Sequence, residues 1–270
     1  NWKLIKEINS KNSRLQSDYV RNLFIDYENN LWAALDAGIS VIDISSFYTF
    51  YGSKSGINGN INDLSIKNDM VTVVGSQGIL QMKRNKDSGF QDMGLIKGEC
   101  WSIEDISHSN RKHTLVATNN TIELLQNDKL KKVIDALPYD IHQSINEPER
   151  IWVGNDDGFI TLTWENEKII EEHRQLLNNS IINVCTDGEG NVWMGSNTSG
   201  IYYLEEPILG EDNIDKPLFF DSLSGLPGDS RFTYPFKINN EVLFATTKGI
   251  YSFDNENYKF SKSQIIGDNN

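Results

Sequence analysis

The side chains able to do chemistry are spread along the chain in a pattern that favours binding over bond-breaking. There is no Gly-x-Ser-x-Gly elbow and no His-Glu-x-x-His pair, and Gly75-Ser76-Gln77-Gly78 lies in a turn rather than ahead of a helix. His108, His113, His142 and His173 share no metal-ligand spacing, and Cys100 and Cys185 lie alone in apolar stretches that read as strands with free thiols. Asp156-Asp157-Gly158 and Asp187-Gly188-Glu189-Gly190 lack the alternating acids of a calcium loop, so no metal and no cofactor is expected. What does recur, at roughly equivalent positions of the repeats, is a small hydrogen-bonding side chain: Asn22, Asp63, Ser102, Asn183 and Thr233, with Trp101 and His142 close by. Such a set binds water or a polyhydroxy ligand, whose hydroxyls need paired donors and acceptors and whose apolar face stacks on an indole.

The elements that position these residues follow from internal self-similarity. A unit occurs six times: an apolar strand, a polar turn, a second strand often carrying Trp, a polar loop, then Gly and an apolar residue opening a third strand. Two copies share Asp-x-x-x-Asn-x-Trp, at Asp26 to Trp32 and at Asp187 to Trp193. The third strands open at Gly38, Gly78, Thr121, Gly158, Gly200 and Gly249, a period of roughly 40 residues that suits a four-stranded propeller blade. Period-2 alternation and β-branched or aromatic residues, as in Ile250-Tyr251-Ser252-Phe253, argue against helical repeats of similar length. Leu130 to Leu137 and Glu167 to Leu177 carry a weak helical pattern but fall where an outer strand and an exit loop belong.

The expected fold is therefore all-β, one β-propeller over residues 1–270 with six recognisable four-stranded blades and a surplus N-terminal strand at Trp2 to Ile8. That strand either closes the ring on the last blade or belongs to a seventh blade. Trp32, Trp152 and Trp193 are expected to fill the wedges between blades, and Ala34 and Gly195 to let blades approach near the axis. The candidate binding face combines the heads of the first strands with the loops between second and third strands, which contribute Gln77, Asn120 and Asp157.

The Asp, Asn-x-Trp and Gly-Ile marks of the repeats, together with Gly225-Leu226-Pro227 leading into the sixth, resemble the two-component regulator propeller repeat. The resemblance runs from about Val20 to Phe260 and is strongest in the first and fifth copies. It implies a periplasmic sensor region of a bacterial hybrid two-component system, part of a larger, membrane-anchored protein, with a glycan-derived signal and an output domain outside this chain. Other domains of that parent, and a homodimer, are the implied protein partners.

Composition agrees with a well-packed body away from phosphate polymers. The 270 residues carry a net charge of −13, which opposes nucleic-acid binding. Hydrophobic residues make up 38%, with no apolar run long enough to span a bilayer. The leading expectation is a non-enzymatic sensor propeller that binds an oligosaccharide. A propeller hydrolase or lyase acting on polysaccharide is the alternative from another class, and would show acids or a His of shifted pKa at the channel mouth. A scaffold binding proteins or a second copy, without a small ligand, is the third, and would show a broad apolar face.

Overall fold

The computed structural model describes residues 7–11, 13, 15–43, 49–84, 89–198, 200–205, 216–228, 232–238 and 241–264. Among them are 23 strands, two 3-10 turns and no α-helix, so none is long and apolar enough to cross a membrane. The strands form six antiparallel sheets, each a meander of consecutive strands. Five have four strands and the first has three, at Val20–Ile25, Asn30–Leu35 and Gly38–Asp43. Blades two to six begin with Ile61–Lys67, Cys100–His108, Pro138–Gln143, Ile181–Thr186 and Thr233–Ile238. The two weakly helical stretches are outer strands, Lys129–Asp135 and Lys168–Leu176. Most of the expected N-terminal strand, residues 1–6, lies outside the described residues.

Tight hairpins follow from the turn residues. Asn68-Asp69, Ser109-Asn110, Asn127-Asp128 and Asn166-Glu167 each place two successive residues at positive φ, the geometry that matches strand twist. In the Asp-x-x-x-Asn-x-Trp copies the Asp is a staple. Asp187 Oδ1 accepts the Glu189 and Asn191 N–H groups, and its Oδ2 accepts Asn191 Nδ2 at 2.9 Å and Trp193 Nε1 at 3.2 Å. Asp26 makes the same set with Glu28, Asn30 and Trp32. Blades two and six are entered through matching 3-10 turns, Ser53–Ser55 and Ser222–Ser224, each closed by a glycine at positive φ. A Cβ on Gly56 or Gly225 would fall 2.3 Å from the carbonyl oxygen of Phe90 or Phe260, so glycine is required twice over.

The core lies between blades. Trp152 and Phe159 of blade four pack on Val184, Val192 and Met194 of blade five. Trp193 of blade five packs on Phe244 and Phe260 of blade six, and Val74 and Ile79 of blade two pack on Ile103 and Val116 of blade three. Gly195 lets the seam close: a Cβ there would sit 2.2 Å from the Thr233 carbonyl oxygen. Trp32 departs from this pattern, being 41% exposed, and its face-mates Phe24, Ile39 and Val41 are exposed as well. Cys100 and Cys185 are buried free thiols, and burial pushes both up to about 12.

Candidate functional site

The first strands of blades one to five share a β-bulge near their heads. Pairing jumps from Cys100↔Thr118 to Ser102↔Ala117, and likewise across Val20/Asn22, Ile61/Asp63, Pro138/Asp140 and Ile181/Asn183. The extra residue, Arg21, Asn62, Trp101, Tyr139 or Ile182, is re-aimed by the bulge. The residue after it is Asn22, Asp63, Ser102, Asp140 or Asn183. Blade six pairs without a shift, so Tyr234, opposite Ala245, takes this place and Thr233 falls one step outside it.

From blade two to blade five these residues join hands. Asp63 Oδ2 accepts Ser102 Oγ at 3.0 Å and the Ile103 N–H at 2.9 Å. Ser102 Oγ reaches Asp140 Oδ1 at 3.1 Å and stands 3.3 Å from the Ile141 N–H. Asp140 Oδ2 then accepts the Val184 N–H at 2.8 Å and Asn183 Nδ2 at 3.0 Å. By the same pattern Asn183 Oδ1 would accept the N–H of residue 235. That residue is Pro235, which has none, and Asn183 Oδ1 is buried without a partner.

A second tier lies two residues further along each strand. Glu104 Oε1 accepts the Gln143 N–H at 3.3 Å, and His142 Nε2 accepts the Thr186 N–H at 3.2 Å, with Thr186 Oγ1 at 2.8 Å. Burial dominates the electrostatics here. It pushes Asp140 up to about 7, aided by the charge of Asp63 and opposed by the Val184, Ser102 and Ile141 hydrogen bonds. Burial lifts Glu104 to about 7 against the Gln143 hydrogen bond, with Asp140, Asp63 and Asp105 adding repulsion. Burial also lowers His142 to about 4, with Lys237 adding to the effect.

Above this ring opens a cavity of about 660 Å³, within the range of small-ligand sites. Asp63, Asp140 and Asn183 line its polar part, and Trp101, Tyr139, Phe232 and Tyr234 its aromatic part. Trp101 and Tyr139 meet edge to face at 5.2 Å, and Phe232 and Tyr234 lie 6.1 Å apart. Both polar tips of the first pair are turned to protein acceptors: Trp101 Nε1 donates to Asn119 Oδ1 at 3.2 Å and the Tyr139 hydroxyl to Asp156 Oδ1 at 3.0 Å.

Of the residues expected from sequence, Asp63, Trp101 and Asn183 line this cavity, and Ser102 and His142 belong to the two tiers beside and below it. Thr233 is fully buried at the seam of blades five and six, its hydroxyl without a partner. Asn22 is exposed and lines a separate hollow on blade one. Gln77 accepts the Asn58 N–H at 2.5 Å, Asp157 accepts Asn155 Nδ2 at 2.5 Å, and Asn120 borders a hollow between Leu95 and Leu130. These last three lie outside the cavity lining, to which the loops between second and third strands contribute Asn197. Asp140, Asn62, Tyr139, Ile182, Phe232 and Tyr234 were not singled out by sequence. The signal for the bulge positions was available: each is the residue just before the recurring small polar one. Among the described residues no group of three or more His, Cys, Asp or Glu is placed to hold a metal.

Comparison with known proteins places these features. Residues 175–198, which contain the Asp187 staple and Trp193, match the model of the two component regulator propeller. No curated protein matches. Among solved structures, the extracellular domain of a putative hybrid two component system from B. thetaiotaomicron is 17% identical with a TM-score of 0.70, covering 93% of this chain and 35% of that one. A second such domain from B. thetaiotaomicron is 14% identical at a TM-score of 0.57, covering 87% of this chain and 38% of that one. The WD40 beta propeller domain of Doa1 is 15% identical at 0.54, covering 88% of this chain and 80% of that one. The chain is a β-propeller in fold, and it spans about a third of the length of the first two relatives.

Proposed function

We propose that a chain carrying a two-component regulator propeller repeat at residues 175–198 works as the extracytoplasmic, ligand-binding propeller of such a regulator. It binds a glycan-derived ligand at the channel mouth without turning it over and passes the signal to an output domain outside this chain. The observation that carries the reading is the cavity itself, where blades two to five each contribute a bulged residue above a shared hydrogen-bonded ring. The extracellular character of the two B. thetaiotaomicron domains supports the placement outside the cytoplasm.

The shifted acids that a hydrolase would need are present in Asp140 and Glu104. Asp140, however, already accepts the Val184 and Ile141 N–H groups and Asn183 Nδ2 and shares a hydrogen bond with the Ser102 hydroxyl, which is the bonding of a group that holds blades together. A general acid or base must instead reach substrate.

The test is a thermal-shift screen of the chain against a panel of oligosaccharides. A ligand at 100 times its Kd stabilises by about 2.7 kcal/mol, a shift of several degrees. The expected result is a hit that is lost in Trp101→Leu while the unliganded melt is kept. Release of a shortened sugar by the chain, abolished in Asp63→Asn, would replace sensing with hydrolysis. The exposed apolar face of blade one, with Phe24 at 67% and Ile39 at 68%, favours a scaffold as the second reading; a concentration-dependent dimer that Trp32→Ser dissolves, with no sugar binding, would select it.

A further inference from the structure

The polar inventory of the channel mouth is lopsided. None of the residues lining the cavity is Lys, Arg or His. Its three asparagines direct their amide nitrogens to protein acceptors: Asn62 Nδ2 to the Cys100 carbonyl at 2.9 Å, Asn183 Nδ2 to Asp140 at 3.0 Å, and Asn197 Nδ2 to Ser180 Oγ at 3.2 Å. The last orientation is fixed because the Ser180 hydroxyl itself donates to Asp156 Oδ1 at 3.1 Å. The indole of Trp101 and the hydroxyl of Tyr139 are committed in the same outward direction. What remains for a ligand is mostly acceptors, the amide oxygens of Asn62 and Asn197, beside the negative charge of Asp63, whose oxygens also accept the Ser102 hydroxyl and the Leu64 and Ile103 N–H groups, together with the Tyr234 hydroxyl and four aromatic rings.

Resting on the binding role proposed above, we infer that the ligand presents a protonated amine, as an amino sugar with a free ammonium does, rather than a neutral or acidic sugar. An ammonium is a donor with no acceptor capacity, so it complements this lining without leaving any of its own lone pairs buried. A carboxylate in the same place would meet acceptors and lose its hydration without replacement. Aromatic faces add cation–π attraction, which strengthens as the cation is desolvated. The net charge of −13 raises the local concentration of cations over the whole surface. Lys237, whose charge reaches His142, is on the first strand of blade six and is not among the lining residues.

The experiment compares glucosamine oligomers with their N-acetylated counterparts and with glucuronate-containing oligomers of the same length, by titration calorimetry on the intact chain. The expected outcome is a Kd for the free-amine form at least about tenfold lower than for the acetylated form, with the preference shrinking at high salt and in Asp63→Asn. Because Asp63 also braces blade three, Asn197→Leu serves as a second variant that leaves the ring untouched and is expected to reduce the preference. Equal binding of acetylated oligomers, or tighter binding of the acidic ones, overturns the amine assignment and leaves the binding role standing. Absence of binding by all three oligomer classes overturns the amine assignment together with the glycan reading.

Discussion

Blades one and five carry the same Asp-x-x-x-Asn-x-Trp staple with nearly the same hydrogen bonds, yet the indoles it holds have opposite fates. Trp193 is 3% exposed, with the rings of Tyr203, Phe244 and Phe253 within 4.4 to 5.0 Å. Trp32 is 41% exposed, and on the first strand of blade two Leu64 and Ile66 are each 55% exposed. The staple therefore encodes the hairpin and the tilt of the indole, both local properties. Burial of the indole depends on the next blade closing over it.

Truncating the two indoles is the sharpest way to break this comparison. Trp193→Ala is expected to cost about 3–5 kcal/mol, the range for a large aromatic deleted from a packed core. Trp32→Ala should cost under about 1.5 kcal/mol, read in both cases from the urea midpoint at constant m. Equal losses would mean that blade one is as tightly packed in solution as blade five.

The second comparison concerns the small residue near the axis. Gly195→Ala puts a methyl 2.2 Å from the Thr233 carbonyl, and the seam must shift at a cost of about 1–3 kcal/mol. At the matching place blade one already holds Ala34, opposite Asn22 as Gly195 is opposite Asn183. Ala34→Gly should cost only the strand-glycine penalty, about 0.5–1 kcal/mol. A Gly195→Ala protein with an unchanged midpoint would show that the wedge is looser than its contacts imply.

These contrasts explain what the sequence exposed and what it hid. The repeat period, the staple, the wedge role of Trp152 and Trp193, and the polar heads Asp63, Ser102 and Asn183 all leave marks, because each is a local rule repeated several times. The bulge positions lie just before those polar heads, but nothing in the residue types marks where the bulge itself is present or absent. It inserts one residue ahead of the polar head in blades one to five and none in blade six, so Thr233 looks equivalent to Asn183 in the chain while Tyr234 takes that place in register. Asp140 carries no mark of its own because the fourth copy keeps little beyond apolar pattern, and His142, two residues on, is the more conspicuous side chain there. Gln77, Asn120 and Asp157 are polar for the sake of their own turns, which spacing alone does not separate from a ligand-facing role.

A third test uses pH, since blade five is tied into the polar ring through Asp140 and blade one is not. Asp140 stays protonated in the fold to about 7 but ionises near 3.8 when unfolded. The native state thus holds the extra proton between those values, and stability falls as pH rises through that window. Glu104 acts in the same direction from 4.5 to about 7. His142 opposes them: the unfolded group takes a proton below 6.5 and the folded one only near 4, so its contribution rises with pH across that span. Asp140→Asn should flatten the fall while costing about 1–3 kcal/mol near neutral pH, because an amide NH₂ would face the donors now served by the carboxylate. An unaltered slope in that variant would remove Asp140 from the ring's electrostatics.

The smallest effect is the one expected to be shared. Asp187→Ala and Asp26→Ala each remove an acceptor from two backbone N–H groups, an asparagine amide and an indole N–H. For Asp187 the loss should be about 1 kcal/mol, and Asp26→Ala should shift the midpoint in the same direction. The Trp32 N–H and the turn amides hold Asp26 below the usual carboxylate range, so its contribution is present at neutral pH and is lost as pH falls below about 4. If the two substitutions shift stability alike while the two indole truncations do not, then the hairpin is local and the wedge is tertiary. If Asp187→Ala instead costs as much as Trp193→Ala, the staple is what positions the indole for blade six, and the separation between local and tertiary roles fails at the blade where packing is tightest.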